Sequence, residues 1–288
     1  MKPGALLLVD VSNTMYRASA AYADLTAPTG EFTGGLYGIL AMVTNAILRV
    51  GARHVVFCKD SGPYLRSMQF PDYKKIGRDK KDPALEERVK VTKQHLPMML
   101  AAMRVPVWEL PGYEADDLFA VAAMTYRNRY ERIVGMTNDS DVGQLYQYPN
   151  FHVYDSRAEK GEAPYKSLSD LVGVAMERSQ ATMLVDMLAL SGTHNSVPGL
   201  DGIGPVRSLA IVSSPTKWAE HWAKHQTMIE RNQSLIELPH PNLLRRLWAY
   251  PVPEALGKFD ARALYRWSIP YGINPTSAMV EALQQVNR

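Results

Sequence analysis

Cysteine is almost absent from this 288-residue chain, and the single Cys58 excludes an intrachain disulfide and suits a reducing compartment. The seven histidines are scattered without ligand spacing, which disfavours zinc. No apolar run is long enough to span a membrane. The early run Leu6-Leu7-Leu8-Val9 is too short for a secretory leader and passes straight into Asp10. Neither a Walker A loop nor a G-x-G-x-x-G turn follows a candidate strand, so nucleotide-cofactor chemistry has little support. Internal repeats and low-complexity tracts are missing too. Net charge is only +3, which permits a polyanionic partner without demanding one. What remains is an ordinary globular composition, 46% hydrophobic and 21% charged, long enough for one large domain or two modest ones. A cytoplasmic protein with no membrane partner is expected.

Acids, by contrast, are unusually placed. Tyr113-Glu114-Ala115-Asp116-Asp117 crowds three carboxylates into four residues after the Pro111-Gly112 turn. Leu118, Phe119, Val121, Ala122 and Met124 follow at helical spacing, so the acids occupy the first turn of a helix. Helix capping accounts for one or two of them, because exposed amides attract negative charge. A third adds repulsion that a divalent cation would relieve. Residues 5–9, 54–58, 105–110 and 132–136 read as buried strands, and each is followed by an acid: Asp10, Asp60, the Glu114 group, and Asp139 with Asp141. Helices begin near Ser12 and cover 36–50, with Gly51 as a C-cap. Strands alternating with helices predict an α/β fold with a parallel sheet. In such sheets the functional crevice lies beyond the carboxyl ends of the strands. Asp10, Asp60, Glu114, Asp116, Asp117, Asp139 and Asp141 should therefore meet there, and hard oxygen donors suit Mg²⁺ or Mn²⁺.

Two further segments suggest a polyanion. Between Asp60 and Val105 the chain carries Arg66, Tyr73, Lys74, Lys75, Arg78, Lys80, Lys81, Arg88, Lys90 and Lys93, with acids interleaved. A solvated, salt-bridged helical hairpin explains 86–93. It explains Phe70-Pro71-Asp72-Tyr73-Lys74-Lys75 less well, since an aromatic among cations beside an acid pocket suits a phosphate backbone and a stacked base. Pro198-Gly199-Leu200-Asp201-Gly202-Ile203-Gly204-Pro205 follows an apolar helix over 182–190 and opens another. Bare amides at Gly199, Gly202 and Gly204, with Arg207 beyond, read as a helix-hairpin-helix clamp on a DNA backbone. Residues 144–155 read as a loop and an edge strand. Trp218, Trp222, Trp248 and Trp267 read as helix packing, and Arg245 and Arg246 carry little weight.

In this order the motifs resemble the 5′ nuclease family: phage 5′→3′ exonucleases, bacterial flap endonucleases and the 5′ nuclease domain of DNA polymerase I. Val9-Asp10-Val11-Ser12-Asn13 resembles V-D-G-x-N, and Phe57 to Lys74 resembles F-D-x-K-G…F-R…P-x-Y-K. Glu114-Ala115-Asp116-Asp117 matches E-A-D-D, and Thr137 to Leu145 resembles T-x-D-x-D…Q-L. Val197 to Arg207 resembles I-P-G-V-x-G-I-G-x-K, and Arg231 to Pro239 resembles R-N-x-x-L-I-x-L-P. The resemblance implies a PIN-like parallel sheet core over 1–180, a helical arch at about 61–104, and a helix-hairpin-helix with C-terminal helices over 181–288. It also implies metal-dependent hydrolysis of DNA at 5′ ends, nicks and flaps by a monomer, with RNA in an RNA–DNA hybrid as a further partner. Asp10, Asp60, Glu114 and Asp116 would hold the tighter ion, and Asp117, Asp139 and Asp141 the second. Lys74, Arg66 and Arg78 would neutralise the scissile phosphate, Tyr73 would stack on an unpaired base, and Lys75 would contact DNA. The hairpin would take K⁺ on its carbonyls. Where the family has G-D-x-x-D-N-I-P-G, this chain has Gly192-Thr193-His194-Asn195-Ser196-Val197-Pro198-Gly199, without a carboxylate. The second ion is therefore expected to be weak, completed by Asn195, His194, water or substrate phosphate. A PIN-type ribonuclease and a structure-specific DNA-binding protein with weak or no cleavage stay open as alternatives.

Overall fold

The structure, a computed structural model, describes residues 4–74, 82–159, 161–193, 197–244 and 259–286. Strand β1 (Ala5–Asp10) is apolar up to its last residue, and alternation sorts its side chains between two layers. Leu6 and Leu8 enter one hydrophobic cluster, whereas Ala5, Leu7 and Val9 enter the other. β2 (Ala52–Lys59) divides the same way, with Val56 and Cys58 on the first side and Val55 and Phe57 on the second. β3 (Val107–Glu109), β4 (Arg132–Met136) and β5 (Phe151–Val153) complete a five-stranded, wholly parallel sheet in the order β3-β2-β1-β4-β5. β3 is shorter than the 105–110 expected. Pro106 has no N–H to give the ladder, although its carbonyl accepts from Phe57 N at 2.9 Å. Residues 144–155 hold the end of a 3₁₀ helix (Asp141–Gln147) and the edge strand β5.

The helices follow in chain order: α1 (Val11–Ala21), α2 (Gly34–Val50), α3 (Leu65–Gln69), α4 (Pro83–Met103), α5 (Ala115–Tyr126), α6 (Leu168–Val172), α7 (Leu184–Ser191), α8 (Pro205–Val212), α9 (Pro215–Ile236), α10 (Pro241–Leu244), α11 (Ala261–Ser268) and α12 (Ser277–Gln285). Gly51 ends α2 with φ of 64°, the left-handed cap expected of it. One layer holds α1, α2 and α4 together with α11 and α12. The other holds α5, α7 and α9, so Leu184, Leu188, Ile229 and Leu235 share a cluster with Leu6 and Phe119. That cluster crosses the division expected at residue 180 without a break. Trp218 and Trp222 lie 5.6 Å apart and pack on it, and Trp267 is buried in the opposite layer. Trp248, Arg245 and Arg246 lie outside the described residues. Among the described residues no helix is long and apolar enough to cross a membrane.

The strand order decides where function can sit. From β1 the chain moves outward through β2 to β3, then returns to the far side of β1 for β4 and β5. Loops leaving β1 and β4 therefore part in opposite directions, opening a crevice at their carboxyl ends.

Candidate metal centre and nucleic-acid interface

Asp10 ends β1 and caps α1, accepting from Asn13 N at 2.9 Å and from Thr137 Oγ1 at 3.0 Å. Asp60, just past β2, accepts from Ser12 Oγ at 2.7 Å and from Ala115 N at 2.9 Å. One carboxylate thus ties α1, β2 and the start of α5 together. Beyond β4, Asp139 N donates to Thr137 Oγ1 at 3.2 Å, and Asp139 Oδ1 accepts from Asp141 N at 3.0 Å. Ser12 and Thr137 were not among the predicted site residues. Their signal was position, since each lies within two residues of a strand-end acid.

The acids feel one another strongly. Burial, then the Asp60 charge, pushes Asp10 up to about 7, against the restraint of Asn13 and Thr137. Burial followed by Asp139 and Asp10 raises Asp116 well above the usual carboxylate range. Asp141 is raised similarly by burial and by Asp139. Asp139 sits at the solvent-facing mouth; the protein crowded around it raises its carboxyl too, although the Asp141 amide offsets part of this. Asp116 Oδ1 is buried and has no hydrogen-bond partner. Even so, among the described residues no three His, Cys, Asp or Glu side chains already stand as a metal cage. Lys74 shares the pocket: its ammonium pairs with Glu114 Oε1 and feels Asp60 and Asp116. The donors nevertheless fit a hard divalent cation, being all carboxylate, mutually repelling, and with one oxygen unsatisfied.

Three predicted roles are corrected. Arg66 is only 2% exposed, and its donors are consumed inside the protein. It grips Asp117 through two bonds of 2.7 and 2.8 Å, and reaches Glu114 at 3.0 Å, Leu235 O at 2.8 Å and Glu237 O at 2.9 Å. It is therefore a strut between α3, α5 and the end of α9 and cannot neutralise a substrate phosphate. Asp117 is fully buried and also accepts from Glu114 N at 3.0 Å and His240 N at 2.7 Å, so it is not an open metal ligand. Burial opposes its charge, but Arg66 outweighs that and holds the carboxyl below the usual range. Tyr73 is 7% exposed, with its ring in the core and its hydroxyl donating to Glu114 Oε2 at 2.8 Å, so no face is free for a base. Glu114, engaged by Arg66, Tyr73 and Lys74, joins this scaffold more than the open acids do. Lys74 remains half-open beside the pocket, its ammonium 5.1 Å from the centre of the Tyr64 ring. Lys75, Arg78, His194 and Asn195 lie outside the described residues.

The hairpin is tightly drawn. Gly192, with φ of 77°, lies so close to Gly199 that a Cβ there would fall 2.5 Å from Gly199 N. On Gly199 a Cβ would fall 2.2 Å from the Ser191 carbonyl carbon. Gly202 has φ of 72°, and Gly204 caps α8 with open space where a Cβ would be. Arg207 is exposed and donates to Gly202 O at 3.2 Å. Asn232, buried on α9, holds the turn through Ala189 O and Pro198 O, both at 2.8 Å. Gln144 likewise donates to Asp141 O and Ile236 O and accepts from Leu238 N. Both side chains lie in motifs that the sequence singled out without assigning them work.

Residues 5–171, more than half the chain, match the family model described as 5′-3′ exonuclease, N-terminal resolvase-like domain. The chain belongs to the 5′-3′ exonuclease family. As a member it is a nuclease. Among related proteins, a 5′-3′ exonuclease of Aquifex aeolicus is 28% identical over 231 residues, covering 78% of this chain and 76% of that one. A DNA polymerase I of Bacillus caldotenax is 29% identical over 72% of this chain, which spans only 23% of the polymerase. In fold, the T5 5′-exonuclease solved with bound zinc superposes with a TM-score of 0.64 at 18% identity, covering 97% of this chain and 99% of that one. The catalytic core of Rad2, solved with a DNA substrate, has a TM-score of 0.59 at 17% identity, over 98% of this chain and 91% of that one. At such identities the likeness speaks for the fold alone, a PIN-like α/β core. The family match runs from β1 into α6 and so includes every strand-end acid.

Proposed function

We propose that the protein is a divalent-metal-dependent nuclease that hydrolyses DNA phosphodiesters at 5′ ends and 5′ flaps. The observation carrying this reading is Asp116, whose Oδ1 is buried without a partner amid carboxylates from the ends of three other strands. A carboxylate kept in that position gains from a cation and from little else. Asp10, Asp60, Asp116 and Asp139 would hold Mg²⁺ or Mn²⁺, with Asp141 oriented behind Asp139. The bound ion would supply charge to activate water and to steady the leaving oxygen. Lys74, at the rim, would leave Glu114 for the scissile phosphate and offset its developing charge. A second ion would be weak, because 192–199 offers no carboxylate and Asp117 is committed to Arg66. The turn at Gly199, Gly202 and Gly204 would grip the duplex backbone and take K⁺ on its carbonyls. A largely apolar cleft of about 820 Å³, opening beside Ser12 and Asp60 beneath α4, offers room for the unpaired strand.

The test is cleavage of an end-labelled 5′-flap duplex and of single-stranded RNA with Mg²⁺, comparing wild type with Asp116→Asn. The flap should be cut and the RNA spared, and the variant should be inactive while melting no lower than wild type. Cleavage that survives EDTA would end the metal reading. Cleavage of RNA alone would move the protein to a ribonuclease.

A further inference from the structure

We propose that a basic concavity beside the acid pocket is a phosphate-binding subsite for DNA, separate from the strand-end carboxylates. It rests on the nuclease reading above. The concavity, about 310 Å³, is walled by Arg17 of α1, Asn138 directly before Asp139, Asp155, Ser156 and Arg157 after β5, and Lys166 and Asp170.

Its charges are arranged for an anion that comes from outside. Lys166 Nζ donates to Asn138 Oδ1 at 2.7 Å, and Arg17 Nη2 donates to Ser156 Oγ at 3.1 Å. Both acceptors are neutral, and among the described residues neither cation forms an ion pair. Only Arg157 pairs locally, with Asp155 at 3.4 Å. Asp170 is occupied by capping Ser167. Burial lowers the basicity of Arg17 and of Lys166; Asp155 opposes this at both, and at Lys166 the neighbouring Arg157 and Arg17 add to the lowering while Asp170 opposes it. Arg17, Arg157 and Lys166 thus outnumber Asp155 and Asp170 around the concavity, and neutral hydrogen bonds hold Arg17 and Lys166 half out of water. A phosphate would balance the surplus positive charge and accept charge-assisted hydrogen bonds from both side chains. Because Asn138 adjoins Asp139, the phosphate held here would be a near neighbour of the one being cut. It is either the 5′-terminal phosphomonoester or an internal phosphodiester.

The experiment measures binding of a 5′-flap duplex in EDTA across a salt series, with a 5′-phosphate and with a 5′-hydroxyl. It compares wild type, Arg17→Ala/Lys166→Ala and Lys166→Met. Lys166→Met keeps the backbone bonds to Val153 and Tyr146 and so guards against a folding defect. The double variant should bind about 10-fold or more weaker. The slope of log affinity against log salt should shrink by about 1, since one phosphate is no longer neutralised. A deficit confined to the 5′-phosphorylated flap identifies the terminal phosphate, and an equal deficit on both substrates identifies the internal one. Variants that melt like wild type and keep its affinity and salt slope on both substrates overturn the subsite and leave the nuclease reading intact. A wild type that binds no DNA either in EDTA or with a divalent ion present overturns both.

Discussion

Replacing Arg66 with Met separates two accounts of the same residue. In the structure Arg66 makes five hydrogen bonds, all to the protein, and faces a carboxylate with no solvent exposure. Met keeps much of the volume but leaves Asp117 buried and unpaired, and removing one partner of such a pair costs about 3–5 kcal/mol. At about 2–4 °C per kcal/mol for a domain of this order, metal-free Arg66→Met should melt roughly 6–20 °C below wild type at neutral pH. The deficit should depend on pH with a definite sign. In wild type, Asp117 lies below its usual range, so its contribution is present above the unfolded value of about 3.9 and drains away as pH falls through the lower folded value. Without Arg66, burial raises Asp117 instead, so its charge becomes a liability that protonation removes. The gap between variant and wild type should therefore be wider at pH 8 than near pH 4.5. Arg66→Lys should recover part of the stability, because it restores charge without the two-pronged grip. Calorimetry or thermal circular dichroism reads all of this. If Arg66→Met melts within about 2 °C of wild type at pH 7 yet no longer cleaves a flap, the strut is wrong and the residue works on substrate.

Lys74→Ala should bind duplex nearly as wild type does, but cleave on the order of 100-fold more slowly, as expected when a fixed charge is removed from a developing anion; single-turnover rates decide it, and unchanged turnover removes the role. Mg²⁺ binding to the metal-free protein should release protons, because the raised carboxyls must ionise to ligate. Affinity should then fall as pH drops through 7, and calorimetry in buffers of different ionisation heat should register the release; a pH-independent affinity contradicts the shared pocket. Gly199→Ala puts a Cβ 2.2 Å from backbone, so it should lose about 1–3 kcal/mol of stability and weaken duplex binding while leaving the acids in place. If the hairpin takes K⁺, exchanging it for Na⁺ at constant ionic strength should lower duplex affinity in wild type, and equal affinities reject the site.

The fold could be read because its signals are local. Two-sided burial writes itself into β1 and β2 as continuous apolar runs, and the acid at the end of each run stands where a parallel sheet opens its crevice. The side-chain types gathered at that crevice were equally legible, since a chain with one cysteine and scattered histidines has little but carboxylate oxygen to place there. Arg66, Asp117 and Tyr73 were read as substrate and metal groups because their types and spacing suit that chemistry as well as they suit a buried network.

What sequence by itself determined was the sheet, the strand-end placement of Asp10, Asp60, Asp116 and Asp139, and the glycine turn from 199 to 204, all set by periodicity and short-range sterics. Only the tertiary structure decided which charges face outward. Arg66 reaches Leu235 across 169 residues, and that hydrogen bond exists because α9 ends against α3, a matter of packing that no local pattern encodes. The same docking turns Glu114 and Asp117 inward toward Arg66 and leaves the unpartnered Asp116 oxygen in the crevice, so the three acids of one helical turn face the scaffold or the crevice according to which side of α5 meets the rest of the chain.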